Sequence, residues 1–581
     1  GGLQRWQMMV AFDVALLALG AAAFWRARDT MPAPAAEWAG MDRRWLLAGA
    51  LVLLVVGATV RFANLGYADF QGDEARATLR AAAVIQGYDD VLMLHKKGPT
   101  EILLPTVVYS LAGHLNEATA RLPFALASLT AVFAAWLLGW RVFGPVAGWL
   151  AALFIALDGY YIGFARIVQY QSVVLLMSLL AVYVLVRLWQ RRESDSGALT
   201  RWLSLAALLL ATAALSHYEG VLPALPALFL LAMLIWQQRT QWRAYIAPIL
   251  IALGVGGVTL ALFYPPYILN ERFAATYVYL TDRRIGSSFP YNNLQDVFIR
   301  TTLYSTTYAV LLLIAAAVAG MIRNYLRGYG RTVGGVLSAL LLGVVAVTFW
   351  NPAWFTIGAS DWIILPIGIL LALAALAPGL RTEERAIWIW FAAVLVLAIF
   401  LTEKPRTHVY TFFMPWMILS GGILAAGWQW LREKWGARPA LAAGVGLASV
   451  FVLMATNYAW AFFDSRGEVM LNYDTARPAG YWTAYDEPDD KARFGFPLNN
   501  GWKVIGELFR TGVLDGNFHS SEKEAWVPAW YGQGVERCQR DAEYFFEIRN
   551  LEPFSNEDFL AMEHYLRSGF EKVGLVQVGG V

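Results

Sequence analysis

Two adjacent carboxylates, in Gly72-Asp73-Glu74, lie shortly beyond the end of an apolar run long enough to cross a bilayer. Where water meets lipid head groups, a carboxylate has a defined use. It takes the proton from an acceptor hydroxyl as that oxygen attacks the anomeric carbon of a sugar carried on a lipid phosphate. Asp73 is the candidate general base. Glu74 is placed to orient the acceptor, or to raise the basicity of its neighbour through like-charge proximity. The plainer reading is a solvated helix start, because Asp and Glu are favoured in a first turn.

The leaving group of such a reaction is a phosphate, whose oxygens need cations where charge develops. The same stretch supplies His95-Lys96-Lys97-Gly98-Pro99, and Arg121-Leu122-Pro123 opens the next apolar run. Lys96, Lys97 and Arg121 are therefore candidate phosphate ligands, against the alternative that the lysines anchor an interfacial helix to lipid head groups. Late in the chain, Glu403-Lys404-Pro405-Arg406-Thr407-His408-Val409-Tyr410 breaks two apolar runs. Lys404 and Arg406 there would hold an anionic head group or simply anchor the interface. Asp158, Tyr161, Arg166, His217, Tyr218, Glu219, Arg272 and His408 are candidate pocket residues, since polar groups at membrane depth are costly unless they line a cavity. Individually, each is also readable as a helix cap. Asp13, inside the first run, is assigned no role.

These residues must be positioned by membrane helices. Of the 581 residues, 58% are hydrophobic and only 15% charged, which makes lipid the main solvent. A net charge of +2, with arginines in short clusters between apolar runs, gives no sign of a nucleic-acid partner. The single cysteine, Cys538, excludes an internal disulfide and a cysteine-based metal or iron-sulfur site. We read no cleavable signal peptide, and Gly1-Gly2 in place of an initiator methionine leads us to expect chain upstream.

Fourteen runs approach a spanning length: 8–24, 44–62, 122–140, 144–158, 168–187, 202–216, 221–236, 244–264, 303–322, 333–350, 361–379, 386–402, 408–428 and 440–462. Arginine clusters fall in alternate loops, among them Arg187, Arg191, Arg192 and Arg201, then Arg323, Arg327 and Arg331, then Arg381 and Arg385. The positive-inside bias puts these in the cytoplasm and places 63–121, 265–302 and the tail outside. The predicted fold is all-α and polytopic, with a transmembrane domain over 1–462 and a small extracytoplasmic α/β domain over 463–581. Interfacial helices are expected at Glu74–Gln86 and Ile102–Leu115. In the tail we expect helices at 502–510 and 556–568 and strands at 524–531 and 573–578.

Val60-Arg61-Phe62-Ala63-Asn64-Leu65-Gly66-Tyr67, Gly72-Asp73-Glu74-Ala75, Lys97-Gly98-Pro99 and Arg121-Leu122-Pro123 together resemble the dolichyl-phosphate-mannose-protein mannosyltransferase-like group of the GT-C superfamily. That group includes protein O-mannosyltransferases and lipid A aminoarabinose transferases. The likeness is clearest over about 60–220 and returns at Lys404-Pro405-Arg406. It implies a first module of about seven spans, an outer loop with two juxtamembrane helices, and an inverting transfer from a polyprenyl-phosphate sugar. By motif, Asp73 matches the catalytic acidic residue, Glu74 the second acidic residue and Lys97 the basic residue before proline. Lys-Gly-Pro departs from the Lys-Pro-Pro of many members, which leaves the phosphate contact open between Lys96 and Lys97. The oligosaccharyltransferase branch uses a divalent ion with carboxylates from two loops. No second outer acidic motif is evident here, so neither a metal nor any other cofactor is expected.

The expected function is a multi-pass membrane glycosyltransferase with an outward-facing site, a polyprenyl-phosphate sugar as donor and a protein, lipid or glycan hydroxyl as acceptor. A lipid-linked glycan transporter would place charges near the bilayer midplane and pair broken helices. The charges here cluster at one face instead. A non-catalytic assembly subunit is the third reading, and Asp73 together with Lys97 argues against it.

Overall fold

The computed structural model describes residues 4–27, 43–94, 97–192, 195–286, 290–358, 360–465, 481–482, 494–548 and 556–578. The apolar runs fold as helices because only intra-segment hydrogen bonding satisfies the backbone in lipid. In chain order these are α1 (Arg5–Ala27), α2 (Arg43–Phe62), α3 (Gly72–Ile85), α4 (Thr100–Ala112), α5 (Glu117–Phe143), α6 (Pro145–Leu157), α7 (Gly159–Ala165), α8 (Gln171–Arg191), α9 (Ser196–Ser216), α10 (Ala224–Gln237) and α11 (Ile246–Ala261). They are followed by α12 (Tyr264–Ile268), α13 (Phe273–Leu280), α14 (Leu294–Tyr304), α15 (Thr307–Trp350), α16 (Ile364–Ala375), α17 (Thr382–Phe400), α18 (Tyr410–Trp435) and α19 (Ala437–Ala459).

Among the described residues, ten helical segments are long and apolar enough to cross a membrane, and α6 with α7, bent by 59°, makes an eleventh. The difference from fourteen has three local causes. Two expected runs are the arms of α15, which breaks at Gly330 where φ is +78°. The run at 361–379 yields α16 of only 12 residues. The first turn of α17 carries Glu383 and Glu384, which reduces its apolar length.

α8 and α18 are the most enclosed spans, with 83% of their apolar windows buried, against 11% for α1, α15 and α19. Residues at the first turns of α8 and α18 are therefore held by the centre of the bundle and not by a lipid-facing rim. Close backbone approach reinforces this end of the molecule. A Cβ on Gly159 would lie 1.7 Å from the Tyr304 carbonyl oxygen, and Tyr160 stacks on Tyr304 at 3.9 Å.

The outer-loop helices appear as expected, as α3 and α4. In the tail, α20 (Trp502–Arg510) and α22 (Asn556–Arg567) match expectation, but 524–531 folds as α21 (Trp526–Tyr531). Pro528 cannot donate to a strand ladder, whereas a first helical turn tolerates it. No strand forms at 573–578; β3 (Phe518–Ser520) pairs in parallel with β4 (Tyr544–Phe546). A second ladder joins β1 (Thr356–Ile357) to β2 (Ser360–Asp361) after α15.

The tail does not stand apart. Phe70, Ala75, Ala77 and Phe124 share one hydrophobic core with Trp502, Ile505, Phe518 and Val527. Hydrogen bonds reinforce that contact: Asp69 N donates to Leu498 O at 2.8 Å, Gln71 Nε2 to Phe496 O at 2.7 Å, and Phe70 N to Tyr531 Oη at 2.8 Å. The segment leading into Asp73 is thus clamped by the tail.

Candidate functional site

Asp73 occupies the first turn of α3, about a third exposed, with Oδ1 paired to Arg76. Its Oδ2 accepts from Gln169 Nε2 at 3.3 Å and lies 3.9 Å from Lys97 Nζ. Lys97 also donates to Glu101 Oε1 at 3.3 Å and Gln169 Oε1 at 3.2 Å, and sits 4.9 Å from the centroid of the Tyr170 ring. Glu101 is buried and also accepts from Tyr170 N at 3.2 Å, so one carboxylate ties α4 to the start of α8. Lys97 is brought in by Gly98, whose backbone touches the end of α9. A Cβ there would lie 1.7 Å from Leu215 O.

The array continues inward. Tyr170 stacks on His217 with ring centroids 3.9 Å apart and nearly parallel. His217, at the C-terminus of α9, accepts from Glu219 N through Nδ1 at 3.2 Å. Burial pulls the His217 imidazole down to about 4, so it is neutral at neutral pH. Glu219 Oε1 lies 2.5 Å from His408 Nδ1, and Arg284 Nη2 lies 2.5 Å from His408 Nε2. Arg284 also donates to Tyr279 Oη at 2.8 Å and Lys404 O at 3.4 Å. Residues from six separate stretches, at 73, 97–101, 169–170, 217–219, 284 and 408, therefore meet at the shared end of α8, α9 and α18.

Several expected site residues do other work. Glu74 is fully buried and accepts four hydrogen bonds: Arg121 Nε at 2.8 Å, Arg121 Nη2 at 2.9 Å, Val168 N at 2.9 Å and Gln71 N at 3.0 Å. The remaining Arg121 N–H groups go to the carbonyls of Leu65, Ala68 and Asp69. All five guanidinium donors are used inside the protein, so Arg121 has none left for a phosphate and Glu74 none of its carboxylate for an acceptor. Arg166 is buried against Asp464 at 2.5 Å, joining the 166 turn to the end of α19. Asp158 caps α7, accepting from Tyr161 N at 3.2 Å and Ser305 Oγ at 3.0 Å, while Tyr161 Oη donates to Tyr410 O at 2.8 Å. These residues fix helices together; none joins the array.

Arg272 is exposed at the start of α13, and Arg284 from the same loop reaches the array in its place. Lys404 is exposed and pairs with Glu403 at 3.1 Å, and Arg406 is exposed with φ +46°. His408 is what that segment contributes. Tyr218 packs on His217 with centroids 3.8 Å apart. Lys96 lies outside the described residues.

Among the described residues, three of the expected pocket residues, His217, Glu219 and His408, offer ligand atoms that all lie within 4.8 Å of one another. Glu101 was missed, although an acidic residue inside Thr100-Glu101-Ile102-Leu103-Leu104 is a strong signal in an apolar helix.

Helix lengths and the polar array at one end of the bundle define a polytopic α-helical membrane protein. Residues 96–269, less than a third of the chain, match the model of the dolichyl-phosphate-mannose-protein mannosyltransferase family. The resemblance read from the motifs is borne out there, over a segment that includes Lys97, Glu101, Tyr170, His217 and Glu219. No curated protein matches the chain.

Among solved structures, it is similar to the oligosaccharyltransferase AglB from Archaeoglobus fulgidus, in complex with an inhibitory peptide and a dolichol-phosphate. Identity is 13%, coverage 84% of this chain and 63% of that chain, and the TM-score 0.43, so the chain spans less than two thirds of that protein's length. ArnT from Cupriavidus metallidurans bound to undecaprenyl phosphate is 14% identical, covering 91% of this chain and 89% of that one, with TM-score 0.41. The mycobacterial arabinofuranosyltransferase AftD is 14% identical, covering 89% and 34%, with TM-score 0.37.

Proposed function

We propose that this protein is an integral membrane glycosyltransferase that moves a sugar from a polyprenyl-phosphate donor to an acceptor hydroxyl with inversion, on the extracytoplasmic side. The observation that carries the reading is Asp73, a partly exposed carboxylate 3.9 Å from Lys97 Nζ at the end of the bundle opposite the arginine-rich loops. The family model matching 96–269 is described by a polyprenyl-phosphate sugar donor, which supports the donor class.

In the reaction, Asp73 takes the acceptor's proton as its oxygen bonds to the anomeric carbon from the face opposite the phosphate. The carbon–oxygen bond to the phosphate breaks, and the electron pair leaves on a phosphate oxygen beside Lys97. Gln169 touches both partners, donating to Asp73 and accepting from Lys97, and so sets their separation. A positioned base contributes about 10²–10⁴-fold to such a step.

The test compares purified wild type with Asp73→Asn for release of free polyprenyl phosphate from polyprenyl-phosphate hexoses and pentoses, with an envelope extract as acceptor. Release should fall by about 10²-fold or more in the variant, with melting unchanged. Equal release from both proteins refutes the assignment of Asp73. No release from either with any donor refutes the transferase reading itself.

A further inference from the structure

Three features of the inner array are unexpected for a plain hydrogen-bond network. First, His217 and His408 both turn Nδ1 toward one carboxylate, at 3.3 Å and 2.5 Å from Glu219. Second, His217 Nδ1 accepts from the Glu219 backbone N–H, so its lone pair and the carboxylate face each other without a proton between them. Third, Glu219 Oε2 is buried and receives no hydrogen bond. An unsatisfied buried carboxylate oxygen costs free energy, and two lone-pair bearers in contact add to it. A cation between them removes both costs in exchange for the one hydrogen bond from Glu219 N to His217 Nδ1, whose lone pair it takes.

The donor set points to the kind of cation. Two imidazole nitrogens and one carboxylate oxygen suit zinc and its transition-metal neighbours, which take three protein ligands and keep a fourth position open. Magnesium and calcium prefer all-oxygen shells. Arg284 sets a condition on binding. Its Nη2 donates to His408 Nε2, which fixes the proton of that ring on Nδ1, the atom a metal would need. A metal on Nδ1 moves the proton to Nε2, where it would point at a guanidinium 2.5 Å away. Metal and arginine therefore exclude each other on His408. Arg284 retains other partners, Tyr279 Oη and Lys404 O, when it lets go.

We propose that His217, Glu219 and His408 form a zinc-class divalent-cation site, and that filling it releases Arg284 from His408. The proposal is independent of the transferase reading, because its readout is binding and not turnover.

The experiment is equilibrium dialysis of the purified full chain against Zn²⁺, with Mg²⁺ in parallel and bound metal measured by mass spectrometry. Wild type should take up one zinc per chain and no magnesium at matched concentration. His408→Ala and Glu219→Gln should lose it. Arg284→Gln should bind about tenfold more tightly, the size of a charge-assisted hydrogen bond that no longer has to be given up. Because that variant gains affinity, misfolding cannot mimic the result. Absence of stoichiometric zinc in wild type, zinc retained in His408→Ala, or zinc binding unchanged or weakened in Arg284→Gln would each overturn the proposal.

Discussion

Replacing Glu74 should destabilise the outer loop by removing its scaffold and not a group that touches substrate, and the size of the effect follows from its contacts. Glu74 is completely buried, and its pairing with Arg121 is bidentate, at 2.8 Å and 2.9 Å. Glu74→Ala leaves the Arg121 charge buried without a counter-ion, and breaking a buried pair from one side costs about 3–5 kcal/mol. It also strands the N–H groups of Val168 and Gln71, each worth about 1 kcal/mol or more. The total, on the order of 5 kcal/mol, is comparable with the whole net stability of a typical domain, about 5–15 kcal/mol. Heating detergent-solubilised protein and following the monodisperse peak by size-exclusion chromatography should show Glu74→Ala lost well below the wild-type midpoint. Glu74→Leu combined with Arg121→Met should recover part of the loss, because an apolar pair leaves neither charge stranded. The reasoning is refuted if Glu74→Ala melts with wild type yet loses transfer. Glu74 would then be a catalytic carboxylate after all.

Three further expectations share these assays. Lys97→Met should lower donor turnover by about 10–100-fold, the worth of one charged contact, and Lys97→Arg should restore part of it; indistinguishable turnover in Lys97→Met removes Lys97 from the phosphate site. Gly98→Ala should resemble Lys97→Met, because a Cβ 1.7 Å from Leu215 O forces the lysine's backbone off α9, whereas Gly254→Ala, with nothing within 4 Å, should be silent in the same turnover measurement. Docking of the tail should weaken as pH rises. Burial pushes Asp69 up to about 6, against the pull of Lys503 and the N–H groups of Trp502 and Asn500. A carboxyl held above its ordinary value favours the docked state at acid pH and loses that contribution as pH rises through about 6. Buried Glu522 is raised in the same direction. Hydrogen exchange at the Asn500 and Trp502 amides, corrected for intrinsic rate, should show greater protection at about pH 5 than at about pH 8, and Asp69→Asn should flatten the difference.

The bundle was legible because membrane helices announce themselves by length and hydropathy alone; each expected run corresponds to a helix or to an arm of α15. The array was legible in part. Asp73, Lys97, His217, Tyr218, Glu219 and His408 are polar residues at helix ends, and the structure gathers them. What failed was the assignment of neighbours. Adjacent residues on a helix point about 100° apart, so Asp73 and Glu74 face different surroundings, one toward Lys97 and one into the core. Nothing in a dipeptide tells which is which. Among the loop arginines, Arg272 and Arg284 are equivalent in composition, and only the helical turns between them decide which reaches His408. The tail strands were misplaced because aromatic residues favour strands on average, while Pro528 and packing against α3 decide this case.

The tail has a mechanical consequence for the site. Asp69, Phe70 and Gln71 immediately precede the turn that carries Asp73, and each is hydrogen-bonded to the tail, through Leu498, Tyr531 and Phe496 respectively. Lys503 adds contacts to the carbonyls of Gly66, Tyr67 and Ala68. On the opposite side, Glu74 and Arg121 bolt the same turn to α5. A partly exposed carboxylate on a surface helix would ordinarily sample several positions, and a base that wanders by 1 Å loses much of its advantage. Here the residues before and after it are fixed by independent elements, and Gln169 from the buried start of α8 fixes its separation from Lys97. The chain therefore spends its buried charges on the scaffold of the turn and leaves its partly exposed ones, Asp73 and Lys97, for the ligand.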